Sequence, residues 1–73
     1  MNIGEIIKKF PRGTKLYSTV YGDVVLVQVN SIGTIFTMHN DYECMFLSDG
    51  KIYKDGECVL FPSKEERNWD NLC

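Results

Sequence analysis

No apolar run in these 73 residues approaches the roughly 18 that a helix needs to span a bilayer. The N-terminus lacks a signal-peptide core as well, because Glu5, Lys8 and Lys9 interrupt its isoleucines. Proline is scarce, at two residues, and no repeat, low-complexity segment or linker divides the chain, so one domain is expected over residues 1–73. Cysteine occurs three times (Cys44, Cys58, Cys73), an odd number without close spacing, which is not a secreted disulfide framework. Chemistry is as thinly announced. There is one histidine, and there is no G-x-S-x-G elbow, H-E-x-x-H pair, glycine-rich phosphate loop or pair of carboxylates at helical spacing. A chain this short also has little volume for a deep pocket once its core is filled. Together these absences predict a soluble cytoplasmic protein that is not an enzyme, with no cofactor, no metal and no membrane attachment.

What is present is the pattern of a small β protein. The longest apolar stretch is DVVLVQV, residues 23–29, too short and too rich in valine for a buried helix. Val25, Val27 and Val29 fall on one side of a strand and Val24 and Leu26 on the other, so this reads as a central strand covered on both faces. Before it, NIGEIIKKF (2–10) spaces Ile3, Ile6, Ile7 and Phe10 as one helical stripe, with Asn2 as N-cap and Pro11 as a stop. A helix of two turns is unstable alone and must dock on the sheet. TKLYS (14–18) reads as a short strand, STVYG (18–22) as a loop, TIFTM (34–38) as the strand after the central one, and His39-Asn40-Asp41 as a reversal.

Two Asp-Gly pairs, at 49–50 and 55–56, stand between YECMFLS, KIYK and ECVLFP. Asp-Gly between alternating segments is a strong hairpin signal, so a three-stranded meander is expected, with Leu47 opposite Ile52, Ile52 opposite Val59, and Lys54 beside Glu57. Ser63 followed by Glu66 forms a capping box and predicts a helical turn carrying Arg67 and Trp69. Trp69, with Leu72 after it, is expected to fold back as a plug. The predicted fold is therefore a mainly antiparallel β-barrel or rolled sheet of five to six strands, SH3-like or OB-like, with an N-terminal helix and a C-terminal helical turn. Its expected core is Ile7, Leu16, Val25, Val27, Val29, Ile35, Phe46, Leu47, Ile52, Leu60 and Trp69.

Two segments resemble a known set of sequences. PRGTKLYSTVYGD (11–23) and GECVLFPSKEERNW (56–69) are similar to stretches of uncharacterised small proteins from gut Bacteroides-type bacteria and their phages. In those, a short N-terminal helix precedes a P-x-G-T-x-L-Y-S segment, and an E-C-x-L-F-P-S-K-x-x-R-x-W segment follows later. The resemblance covers roughly the first third and last quarter of the chain. It implies a compact β fold and a bacterial or phage origin, and it transfers no catalytic or binding residue. Many of those chains continue past the tryptophan segment.

Candidate sites follow from the residues alone. His39, Cys44, Cys58 and Cys73 are the residue types of a Cys3His metal site, but without a C-x2–4-C pair the strand cysteines read as core filler. Cys73 is expected to be exposed. Net charge is −2, yet residues 1–15 carry +3 and the remainder −5, so Lys8, Lys9, Arg12 and Lys15 form a basic edge. With tyrosines on a small barrel, that edge suggests a single-stranded nucleic-acid binder. The acidic balance elsewhere opposes a broad phosphate track. The leading expectation is a protein-interaction or regulatory module, with a protein as partner. Its contact surface would be the loop 17–23, which presents Tyr17, Tyr21 and Asp23, since tyrosine offers contact area at low entropic cost.

Overall fold

In the computed structural model, residues 2–69 are described. The N-terminal stripe folds as a helix, shorter than the expected two turns. It ends at Ile7, and the Lys9 and Phe10 N–H groups turn back on the Ile6 and Ile7 carbonyls before Pro11 is reached. Helix α1 (Ile3–Ile7) is capped by the Asn2 side chain, whose Oδ1 accepts the Glu5 N–H at 3.1 Å. It buries Ile3, Gly4, Ile6 and Ile7, and Phe10 packs half-buried beside them. The helix reaches the sheet through backbone. Gly4 donates to the Ser48 carbonyl at 2.8 Å, and a Cβ at Gly4 would lie 2.6 Å from the Gly33 carbonyl oxygen.

Five strands follow: β1 (Lys15–Ser18), β2 (Gly22–Val29), β3 (Ile35–His39), β4 (Tyr42–Phe46) and β5 (Leu60–Phe61). All neighbours are antiparallel, in the order β4-β3-β2-β1-β5, so β2 is central as expected. The sheet is a four-strand meander with the fifth strand laid back on the first. It curls into a half-barrel, the rolled form of the expected architecture, and no pairing joins β4 to β5 among the described residues.

The turns are built by side chains. Buried Ser18 accepts the N–H groups of Val20 and Tyr21 on its hydroxyl, at 3.1 and 3.2 Å, closing the β1–β2 connection. Asn30 does the same for Ile32 and Thr34, at 3.1 and 2.9 Å, between β2 and β3. Asn40 holds φ at 55° in the Asn40-Asp41 turn to β4. The buried Thr37 hydroxyl donates to the Cys44 carbonyl at 2.8 Å, so both polar groups inside the sheet are satisfied.

The central strand corrects the predicted core. Val24 and Leu26 face the interior, whereas Val25 is 40% exposed and Val27 half-buried. The strand is not covered on both faces. Its register slips between Leu26 and Gln28, where one extra residue opposes β3. The bulge reverses the inward parity, so that Val29, opposite buried Ile35, turns back toward the core. Ile7, Leu16, Ile35, Phe46, Leu60 and Trp69 are buried as predicted, joined by Ile3, Ile6, Val24, Leu26 and Cys44.

The C-terminal meander does not form. Asp49-Gly50 makes a tight turn, with Gly50 donating to Leu47 at 2.9 Å and Leu47 to Lys51 at 2.7 Å. Only Gly50 has positive φ there (83°), so the turn is not type I′ and does not return a strand along β4. Instead Gly50 enters the core. A Cβ there would meet Cys58 Sγ at 2.8 Å and Ile3 Cδ1 at 2.9 Å. Gly50 then accepts the Val59 N–H at 3.0 Å. Residues 51–59 thus cross from β4 to reach β1, where Leu60 is fully buried. Leu47 is exposed, Ile52 and Val59 only pack against the core from outside, and the ion pair joins Lys51 to Asp49 at 3.6 Å rather than Lys54 to Glu57.

Trp69 is the expected plug, 4% exposed, with its indole N–H on the Leu60 carbonyl at 2.8 Å. Before it, the Ser63 hydroxyl accepts the Glu66 N–H at 2.8 Å, but the return bond runs from the Ser63 N–H to the Glu66 backbone carbonyl at 3.2 Å. That closes a reversal rather than a capping box, and among the described residues after β5 helical geometry is reached at Trp69 alone. Leu72 and Cys73 lie outside the described residues.

Candidate functional site

On the outer face of β1, Tyr17 stands between Asp23 of β2 and Phe61 of β5. The chain after β5 folds back over this face. Pro62 ends the strand, and Arg67 sets its guanidinium over the rings of Tyr17 and Phe61, at 5.4 and 5.5 Å from their centroids. The same guanidinium donates through Nε to the Lys64 carbonyl at 3.1 Å. Each such cation–ring contact is worth about 0.5–1 kcal/mol at an exposed site, enough to lay the 62–67 arm against the sheet.

Between arm and sheet runs a cleft of about 320 Å³, lined by Lys15, Leu16, Tyr17, Asp23 and residues 62–65. Its floor is an unfinished sheet edge. The Leu26 N–H donates to Thr14 and the Thr19 N–H to Val59, so alternation along β1 points the backbone of Lys15 and Tyr17 toward β5. β5 covers Tyr17 and Ser18 only, and from Pro62 onward the chain leaves β1. The backbone of Lys15 therefore opens into the cleft. The lining charges balance, with Lys15 and Lys64 against Asp23 and Glu65. Behind the cleft, His39 donates through Nδ1 to the Asp23 carbonyl at 2.7 Å, pinning the start of β2 to the end of β3.

Tyr17 and Asp23 of the expected contact loop meet Lys15 of the expected basic edge in this cleft. Tyr21 does not join them. It packs half-buried on Phe46, ring centroids 5.8 Å apart and planes at 83°, as part of the core wall. Lys8 and Lys9 follow α1 and Arg12 lies in the turn before β1, all exposed and none lining the cleft. The sequence reading missed Phe61, Pro62 and Arg67. The available signal was slight: Pro62 suits an edge strand, where its missing N–H faces away from β1, but it does not by itself mark where β5 leaves β1.

A smaller hollow of about 220 Å³ lies under the 51–59 crossing, lined by Val20, Ile52, Tyr53, Gly56, Glu57 and Val59. Cys44 is buried on β4; burial pushes its thiol above the usual range, partly offset by a hydrogen bond with the His39 backbone. No cluster of three or more His, Cys, Asp or Glu suited to hold a metal occurs among the described residues, and none of their helices is long and apolar enough to cross a membrane. No family model, curated protein or solved structure matches this chain.

Proposed function

We propose that this chain is a small protein-interaction module whose cleft takes an extended segment of a partner protein. The observation that carries the reading is the vacated sheet edge at Lys15, walled by the 62–65 arm. An extended peptide entering there continues the position that β5 abandons at Pro62, using main-chain hydrogen bonds for affinity. Tyr17 offers an apolar side wall, and the paired charges select a segment carrying both signs. The unpaired Cys44 and Cys58 support a reducing, cytoplasmic setting. The sequence resemblance supports a bacterial or phage source.

Single-stranded nucleic acid is the competing ligand. It wants open aromatic faces and a one-signed groove. Here Arg67 covers Tyr17 and Phe61, and the cleft is charge-balanced. Capture of partners from native-host extract, with and without nuclease, separates the two. The expected result is a protein that survives nuclease and is lost, about tenfold in affinity, with Tyr17→Ala. Retention of nucleic acid through Lys8, Lys9, Arg12 and Lys15 would overturn the proposal; four phosphate contacts predict about a 50-fold weakening over a fourfold rise in salt.

A further inference from the structure

The two edges of the sheet are finished differently. At β5, a strand of two residues, the Leu60 carbonyl is taken by the Trp69 indole N–H at 2.8 Å and approached by the Cys58 thiol at 3.4 Å. At β4 no hydrogen bond from outside the sheet reaches the backbone of Glu43 or Met45 among the described residues. Those two residues also point outward. Leu26 is bonded toward β1, donating to Thr14 and accepting from Gly13, so its neighbour Val25 bonds toward β3 and to its partner Met38. Met38 is thereby committed to β2. Thr37 and His39 face β4, and their partners Cys44 and Tyr42 face back. Glu43 and Met45 are left with their N–H and C=O groups on the free edge. The strand has no proline, no lysine and no break in its register with β3, and its one charged residue is Glu43.

We propose that β4 pairs antiparallel with β4 of a second copy of this chain, about a twofold axis at Cys44. In that register Glu43 faces the second copy's Met45, and Met45 its Glu43. Every free group on both edges is then bonded, and no carboxylate meets another. An axis at Glu43 would instead set two carboxylates against each other, which is unfavourable. Side-chain exposure agrees. Tyr42, 74% exposed, comes to lie across from the second copy's Phe46. Met45, 51% exposed, extends the outer apolar row of Val25, Met38 and Phe36 across the axis. On the other side Trp69 takes the Leu60 carbonyl of β5 and leaves open only the short stretch of β1 at Lys15, under the 62–65 arm. That is too little edge for β4 of a third chain, so pairing stops at two chains.

The test is sedimentation of the full chain over a wide concentration range, under reducing conditions that exclude cysteine-linked species. A reversible monomer–dimer equilibrium is expected. Met45→Glu creates two Glu–Glu pairs across the axis and should raise the dissociation constant roughly 2- to 30-fold, while Met45→Lys creates two Lys–Glu pairs and should lower it by a similar factor. Met45 is exposed, so both variants should melt like the parent at dilutions where all are monomeric, which separates loss of pairing from loss of fold. A monomer at every concentration, or both variants moving the equilibrium in the same direction, overturns the proposal. So does a parent that stays monomeric and instead accepts a foreign strand on β4.

Discussion

Trp69 combines the two kinds of interaction that a small domain can least do without. Its ring is buried, and its N–H satisfies the Leu60 carbonyl at the end of the sheet. Trp69→Ala removes both and should cost about 3–5 kcal/mol, a large share of the stability of a domain this size. Trp69→Phe keeps much of the buried ring and should lose less, including about 1 kcal/mol for the hydrogen bond. Chemical denaturation of the two variants checks the ranking, and equal melting of alanine variant and parent would remove Trp69 from the core. Cys44 makes a different prediction. Burial raises its thiol pKa in the folded state, so that contribution to stability is complete below the ordinary thiol value of about 8.5 and is lost as pH rises through it toward the folded value. Stability measured against pH should therefore fall in the alkaline range, and Cys44→Ala should flatten that fall. Alkylation of Cys44 should wait on unfolding.

Elements are where the sequence was most and least informative. The helix was legible because Asn2 and the isoleucine spacing act within a few residues of one another, although it ends at Ile7, before the expected stop at Pro11. So were β1 and β3, whose alternation is local. The parity of β2 was not, because DVVLVQV is apolar on both sides and the bulge that decides it is a relation to β3. Leu26→Ala should cost about 2–5 kcal/mol and Val25→Ala under about 1; the reverse order in denaturant midpoints would restore the predicted core. The second lost element was the meander. Asp-Gly specifies a reversal, but whether the chain then pairs along β4 depends on where Gly50 can go, and it goes between Ile3 and Cys58. At α1, two effects oppose each other. Gly4→Ala should stabilise an isolated helix by up to about 1 kcal/mol, yet the new Cβ meets the Gly33 backbone carbonyl at 2.6 Å. The docked helix cannot yield there without parting from the sheet, so a net loss of about 1–3 kcal/mol is expected in thermal melts.

At the scale of the molecule, the radius of gyration is 10.7 Å, close to the roughly 11 Å of a compact chain this long. Helix, half-barrel and the 51–59 crossing thus already fill the interior, and the proposed recognition is a matter of the surface. Part of that surface was legible. Tyr17 and Asp23 are expected in a contact loop and Lys15 on the basic edge, and the fold brings the three together. Their other wall comes from residues 62–65, some forty positions away, which only the return of β5 to β1 places opposite them. Tyr21 is not legible in this way, because an isolated tyrosine in a loop carries no sign of whether its ring meets water or Phe46. The most direct test of the interaction module is an amide-shift titration of the isotopically labelled chain with the bound segment of a captured partner. Perturbations centred on Lys15, Tyr17, Asp23 and residues 62–65, insensitive to moderate salt, are predicted. Perturbations centred instead on Lys8, Lys9 and Arg12, and abolished by the same salt, would contradict it.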